Sequence, residues 1–131
     1  MTIALKTRTF LAALALSALG TQMALADKIS IVNESAVPST EAPADTIVVT
    51  IDKMKYQQPE LTIKPGQTVT WVNAEAMPHN VAFEAGIVGD DKLTGAMMKK
   101  NQSYSITFNE AGTYNYHCTP HPFMKAKVIV E

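Results

Sequence analysis

With 131 residues, 11 Lys and Arg against 12 Asp and Glu, and a single cysteine, the chain has the length of one ordinary domain and no disulfide framework. A net charge of −1 leaves no basic footprint for nucleic acid or for an anionic membrane surface, so a protein or small-molecule partner is expected.

The chain opens with a segment of the secretory type. Lys6 and Arg8 supply a positive start, Phe10 to Gly20 is apolar, and Ala24-Leu25-Ala26 is a small-residue cleavage sequence. The apolar run is too short to span a bilayer. Residues 1–26 are therefore expected to be a signal peptide, and residues 27–131 a single domain. Without Lys6 and Arg8 the balance is nine Lys against twelve acidic residues, a net charge of −3. Secretion implies an oxidising compartment, where a lone exposed thiol is a liability. Cys118 is thus expected to be either buried and inert or held by a metal.

After a loop-like stretch around Pro38, Ser39, Thr40 and Pro43, short β-type runs follow one another. Ile29–Val32, Thr46–Ile51, Leu61–Lys64, Thr68–Val72, Val81–Phe83, Tyr104–Phe108, Thr113–Cys118 and Ala126–Val130 make about eight strands. Asp90 to Lys99 has the composition of a short helical turn. Many short strands between turn residues predict an all-β, Greek-key β-sandwich. Residues 109–112 are expected to join Tyr104–Phe108 to Thr113–Cys118 as a hairpin. Period-two alternation puts Tyr114, Tyr116 and Cys118 on one face and turns His117 to the other.

The chemistry concentrates in Cys118-Thr119-Pro120-His121-Pro122-Phe123-Met124. A thiolate, an imidazole and a weak thioether select copper over hard-oxygen metals, and a blue-copper site needs two histidines. His117 leaves the opposite face of its strand from Cys118, so the missing imidazole is sought upstream. His79, in Met77-Pro78-His79-Asn80-Val81, is the best placed. Pro120 and Pro122 stiffen the loop by fixing φ.

On these residues, together with Lys53-Met54-Lys55-Tyr56 and Gly112–Cys118, the chain resembles the cupredoxins, the type 1 blue copper proteins. The compact Cys-x2-His-x2-Met spacing is similar to that of the amicyanins rather than to the longer loops of plastocyanin, azurin or pseudoazurin. The resemblance covers essentially all of residues 27–131. It implies one copper ion held by His79, Cys118 and His121 in a trigonal set, with Met124 as the weak axial ligand. It also implies that Asn80 ties the two ligand-bearing loops together near the thiolate. The implied protein is a monomeric periplasmic electron carrier, not an enzyme, that takes electrons from methylamine dehydrogenase and passes them to a c-type cytochrome.

His121 at a loop tip is the expected electron exit. Met54, Met77, Pro78 and Met97 are expected to form an apolar docking ring around it with Pro120, Pro122 and Phe123, and one or both of Met97 and Met98 to be exposed. Lys99 would steer an acidic partner. The same residues admit two other readings. Cys118 could serve as a nucleophile with His121 or His79 as base, but the sequence places no Gly-rich elbow or orienting carboxylate beside it. A copper-storage or delivery protein of the same fold would need more exchangeable ligands than a loop braced by two prolines provides.

Overall fold

A computed structural model describes residues 27–131; the expected signal peptide lies outside the described residues. Among those residues, eleven strands form two sheets. The first contains β1 (Ile29–Ile31), β2 (Val37–Pro38), β3 (Ile47–Asp52), β4 (Lys55–Tyr56), β6 (Thr68–Asn73) and β9 (Gln102–Phe108). Its order is β1-β9-β6-β3-β4, and β2 lies beyond β1 along the same edge of β9. The second runs β5 (Glu60–Ile63), β11 (Lys125–Val130), β10 (Gly112–His117), β7 (Ala82–Phe83), β8 (Leu93–Thr94). Two pairs are parallel, β3 with β6 and β5 with β11; the remaining pairs are antiparallel. The result is the β-sandwich expected from the sequence.

All eight expected strands form, within a few residues of their predicted bounds. The additional strands β2, β4 and β8 have two residues each, too short to show a period. Two expectations are corrected. The stretch from Asp90 to Lys99 is not helical. Leu93 pairs with Phe83 and Thr94 with Ala82, and the Gly95 N–H donates to the Val81 carbonyl at 2.8 Å, so ladder bonds hold the backbone extended.

The second correction concerns residues 109–112, which are not a hairpin turn. They carry the chain from β9 in one sheet to β10 in the other. Phe108 and Tyr114, on either side of the crossing, pack edge to face at 5.1 Å, and the Tyr114 hydroxyl donates back to the Glu110 carbonyl at 2.7 Å. Burial of both rings between the sheets outweighs pairing of the two strands with each other. The true hairpin is β10–β11, closed by the residues from Cys118 to Met124.

The core lies between the sheets. Trp71 is fully buried, packs edge to face on Phe108 and Tyr116 at 6.4 and 5.4 Å, and donates its indole N–H to the Tyr116 hydroxyl at 3.1 Å. Tyr56 adds a further edge contact with Tyr116 at 4.8 Å. These aromatic rings join the first sheet to the strand that ends at Cys118. Elsewhere in the first sheet the buried Thr70 hydroxyl pairs with those of Ser105 and Thr46, at 2.8 Å each.

At Gly95 the fold leaves no room for a side chain. A Cβ there would lie 2.5 Å from the Val81 carbonyl oxygen and 2.9 Å from the Tyr104 ring. Backbone cannot yield cheaply, so Gly95→Ala is expected to lower stability by about 1–3 kcal/mol. A shift of the urea midpoint at unchanged slope in the metal-free protein checks this.

Candidate metal centre

Three pieces of chain converge at one end of the sandwich. The first is the end of β10, where alternation buries Tyr114, Tyr116 and Cys118 and leaves His117 half-buried on the other face, 3.6 Å from Glu84. The second is the segment before β7. Register of Ala82 with His117 lays this segment beside β10 and so carries His79 toward Cys118. The third is the segment around Met98, whose backbone bonds that of His79 in both directions, at 3.2 and 2.8 Å. His79 is thereby fixed as rigidly as a strand residue, although it sits in a loop.

The loop from Cys118 to Met124 closes on itself. The Cys118 N–H donates to the Met124 carbonyl at 3.1 Å, and the Met124 N–H to the His121 carbonyl at 2.9 Å. Pro120 and Pro122 are exposed and lock φ on either side of His121.

This geometry places the Cys118 sulfur 3.6 Å from Nδ1 of His79 and 3.6 Å from Nδ1 of His121, with all three donor atoms within 4.8 Å of one another. Cys118 and His79 are fully buried, and His121 reaches the surface in part. A metal about 2.0 Å from an imidazole nitrogen and about 2.3 Å from a thiolate, at a trigonal angle, spaces nitrogen and sulfur by about 3.7 Å. The observed separations fit an ion of that kind, and one thiolate with two imidazoles is the donor set of copper or zinc. Met124 is buried at the end of the same loop, its backbone bonded to Cys118 and His121.

Residues 44–131 match the model of the copper-binding proteins of the plastocyanin/azurin family. The chain belongs to that copper-binding family. The amicyanin of Paracoccus versutus is 60% identical over 125 residues, 95% of each chain. The amicyanin of Paracoccus denitrificans is 59% identical over 131 residues, the full length of both. The fold agrees: a crystal structure of Paracoccus versutus amicyanin, 62% identical, matches over 81% of this chain and all of its own with a TM-score of 0.78. Copper is accordingly the metal of this family member.

Around the three donors the candidate site is braced by hydrogen bonds. Asn80 spans the two loops: its amide oxygen accepts from the Thr119 N–H at 2.8 Å, and its amide nitrogen donates to the Thr119 hydroxyl at 2.9 Å and the Gly95 carbonyl at 3.2 Å. The Tyr56 hydroxyl donates to the Asn80 carbonyl at 2.6 Å. Burial, and then the neighbouring Cys118 sulfur, push the Tyr56 phenol far above its ordinary pKa, so it stays a neutral donor. Glu75 lies 2.5 Å from Nε2 of His79 and also accepts the Met54 N–H at 3.0 Å. Partial burial pushes its carboxyl up, but the Met54, His79 and Lys53 hydrogen bonds outweigh that and hold it below the usual carboxylate value. Sequence reasoning missed Tyr56, Glu75 and Thr119 as site residues. Glu75 precedes His79 by four, a spacing that has meaning on a helix and none in an irregular loop.

The residues expected to form a docking ring are mostly at the surface. Met77, Met97 and Phe123 are exposed, as are Pro78, Pro120, Pro122 and Lys99; Met54 is half-buried. Met98, by contrast, is fully buried under its bridge to His79. Each exposed apolar residue adjoins a site segment in the chain, and the Phe123 ring lies 6.1 Å from that of His121.

Proposed function

We propose that the protein is a periplasmic type 1 copper electron carrier, with His79, Cys118 and His121 holding the ion and Met124 its weak axial donor. The observation that carries this reading is the placement of one thiolate and two imidazoles at 3.6 Å separations on rigid, cross-braced loops, with only His121 reaching solvent. Bound copper supplies a one-electron couple. The chain's own contribution is to keep the donors still. Asn80, the bridge to Met98 and the two prolines resist movement of His79, Cys118 and His121, and donors that move little keep the reorganisation barrier of electron transfer low.

Burial of Cys118 speaks against a nucleophilic role, since no substrate reaches its sulfur, and burial of both Cys118 and His79 speaks against ready release of copper. A visible and EPR spectrum of the copper-loaded protein tests the site. An intense thiolate-to-Cu(II) band is expected. Copper passing to a metal-free acceptor, in place of electrons, would favour storage or delivery.

The partners we propose are methylamine dehydrogenase as donor and a c-type cytochrome as acceptor, the pair implied by likeness to amicyanin. Met77, Met97 and Phe123 are exposed, and the Phe123 ring lies 6.1 Å from that of His121, which supports an apolar contact of the kind that excludes water. Phe123→Ala or Met97→Ala is expected to weaken transfer from the dehydrogenase by about 1–2 kcal/mol in binding with an unchanged spectrum. Lys99→Ala should alter mainly the association rate and its salt dependence. Stopped-flow reduction at two ionic strengths measures both; identical kinetics in the two apolar variants and the parent would place docking elsewhere. The leader-like residues 1–26 support a periplasmic location, which N-terminal sequencing of the protein from a periplasmic extract checks.

A further inference from the structure

We propose that Glu75 is a positioning residue of the copper site: its carboxylate fixes the His79 ring with Nδ1 toward Cys118 and holds the reduction potential down. This rests on His79 being a ligand, as proposed above. With Nε2 only 2.5 Å from the Glu75 carboxylate, the ring proton belongs on Nε2, which leaves the Nδ1 lone pair facing Cys118 at 3.6 Å.

The carboxylate is itself held from several directions. The Glu75 N–H donates to the Asn73 side-chain oxygen at 3.1 Å. The Asn73 amide nitrogen, fully buried, donates to the Met77 and Met98 carbonyls at 2.9 Å each. One asparagine therefore seats the loop from Glu75 to Met77 against the same segment that bonds His79. The same oxygen that faces His79, Oε1, also accepts the Met54 N–H. Lys53 and Met54, the two residues that turn β3 into β4, have φ of 53° and 58°, a conformation that non-glycine residues rarely adopt. The Glu75 carboxylate thus links a strained turn to a metal ligand, and strain of this kind concentrates at functional sites.

A carboxylate on the far nitrogen makes an imidazole a stronger donor. A stronger donor stabilises the doubly charged ion more than the singly charged one, so the potential falls. In Glu75→Gln the hydrogen bond can persist but the charge is gone. The affinity for Cu(II) relative to Cu(I) should drop about tenfold, which raises the potential by about 59 mV.

Voltammetry of the copper-loaded parent and Glu75→Gln is the test, and an unchanged or lower potential in the variant would overturn the proposal. A Lys53→Gly, Met54→Gly double variant, which relaxes the turn but keeps its N–H groups, is expected to keep the parent potential. A rise equal to that of Glu75→Gln would assign the effect to the turn and overturn the role of the carboxylate. Should Glu75→Gln fail to fold, NMR of the reduced parent decides. A slowly exchanging proton on Nε2 of His79 is expected, and a ring protonated on Nδ1 refutes the proposal. His79→Gly separates the two readings: it should lose the intense visible band. Retention of that band would remove His79 from the ligand set and take this inference with it, whereas loss of the band alongside an unchanged Glu75→Gln potential would sink the inference alone.

Discussion

Cys118→Ser is expected to abolish the visible colour of the copper-loaded protein while leaving its fold intact. The thiolate is the soft donor of the set, and the colour of a blue copper site arises from charge transfer out of its sulfur. A serine hydroxyl is a hard oxygen that stays protonated at neutral pH, so it offers neither the charge nor the orbital. The fold should survive because the new hydroxyl would lie among the Nδ1 atoms of His79 and His121, both within reach of the sulfur it replaces, and so would not be buried without partners. Loss of stability in the metal-free protein should stay within about 1–3 kcal/mol. Visible absorption with added Cu(II), and urea unfolding without it, measure the two halves. An intense band in the Ser variant would refute the thiolate reading.

Trp71→Ala should have the largest effect on stability. It removes a fully buried ring, two edge-to-face contacts and the donor to the Tyr116 hydroxyl. Large-to-small core changes of this type cost about 3–5 kcal/mol. Set against a typical stability of about 5–15 kcal/mol, that is a large share of what holds the domain folded. Circular dichroism is the appropriate probe, because Trp71 is the chain's single tryptophan and its fluorescence goes with it. The metal-free protein is the appropriate sample, since bound copper stabilises by mass action and would mask part of the loss. Tyr116 lies two residues before Cys118 on the same strand face, so the variant should also broaden the copper signals. A midpoint within error of the parent would show that the core repacks around the gap.

The strongest readings from sequence were those that depend on local geometry. Side chains alternate in any strand, so Tyr114, Tyr116 and Cys118 had to share a face and His117 had to leave it, whatever β10 paired with. The donor types in the span from Cys118 to Met124 point to a soft metal by their chemistry alone, and the two prolines mark the loop as stiff. Strand geometry set His117 aside and left His79 as the best-placed second imidazole, and likeness to the cupredoxins added Asn80; the structure brings the two beside Cys118 and Thr119.

Which segments lie side by side emerged from packing alone. Alternation states which face a residue occupies but not which strand lies alongside, and for that reason β9 and β10 read as a hairpin although they belong to different sheets. The stretch from Asp90 to Lys99 is extended because β7 and the backbones of Val81 and His79 offer it hydrogen bonds, a circumstance its own composition does not contain. Tyr56, Glu75 and Thr119 reach the site through contacts whose geometry depends on how loops pack, and in loops sequence spacing carries no fixed direction. The metal chemistry and the strand faces were thus legible in the residues, since both are set by residue type and a two-residue period. The sheet order and the hydrogen-bonded bracing of the site were left to packing, where burial of rings such as Phe108 and Tyr114 chose among pairings that the strands alone would have allowed.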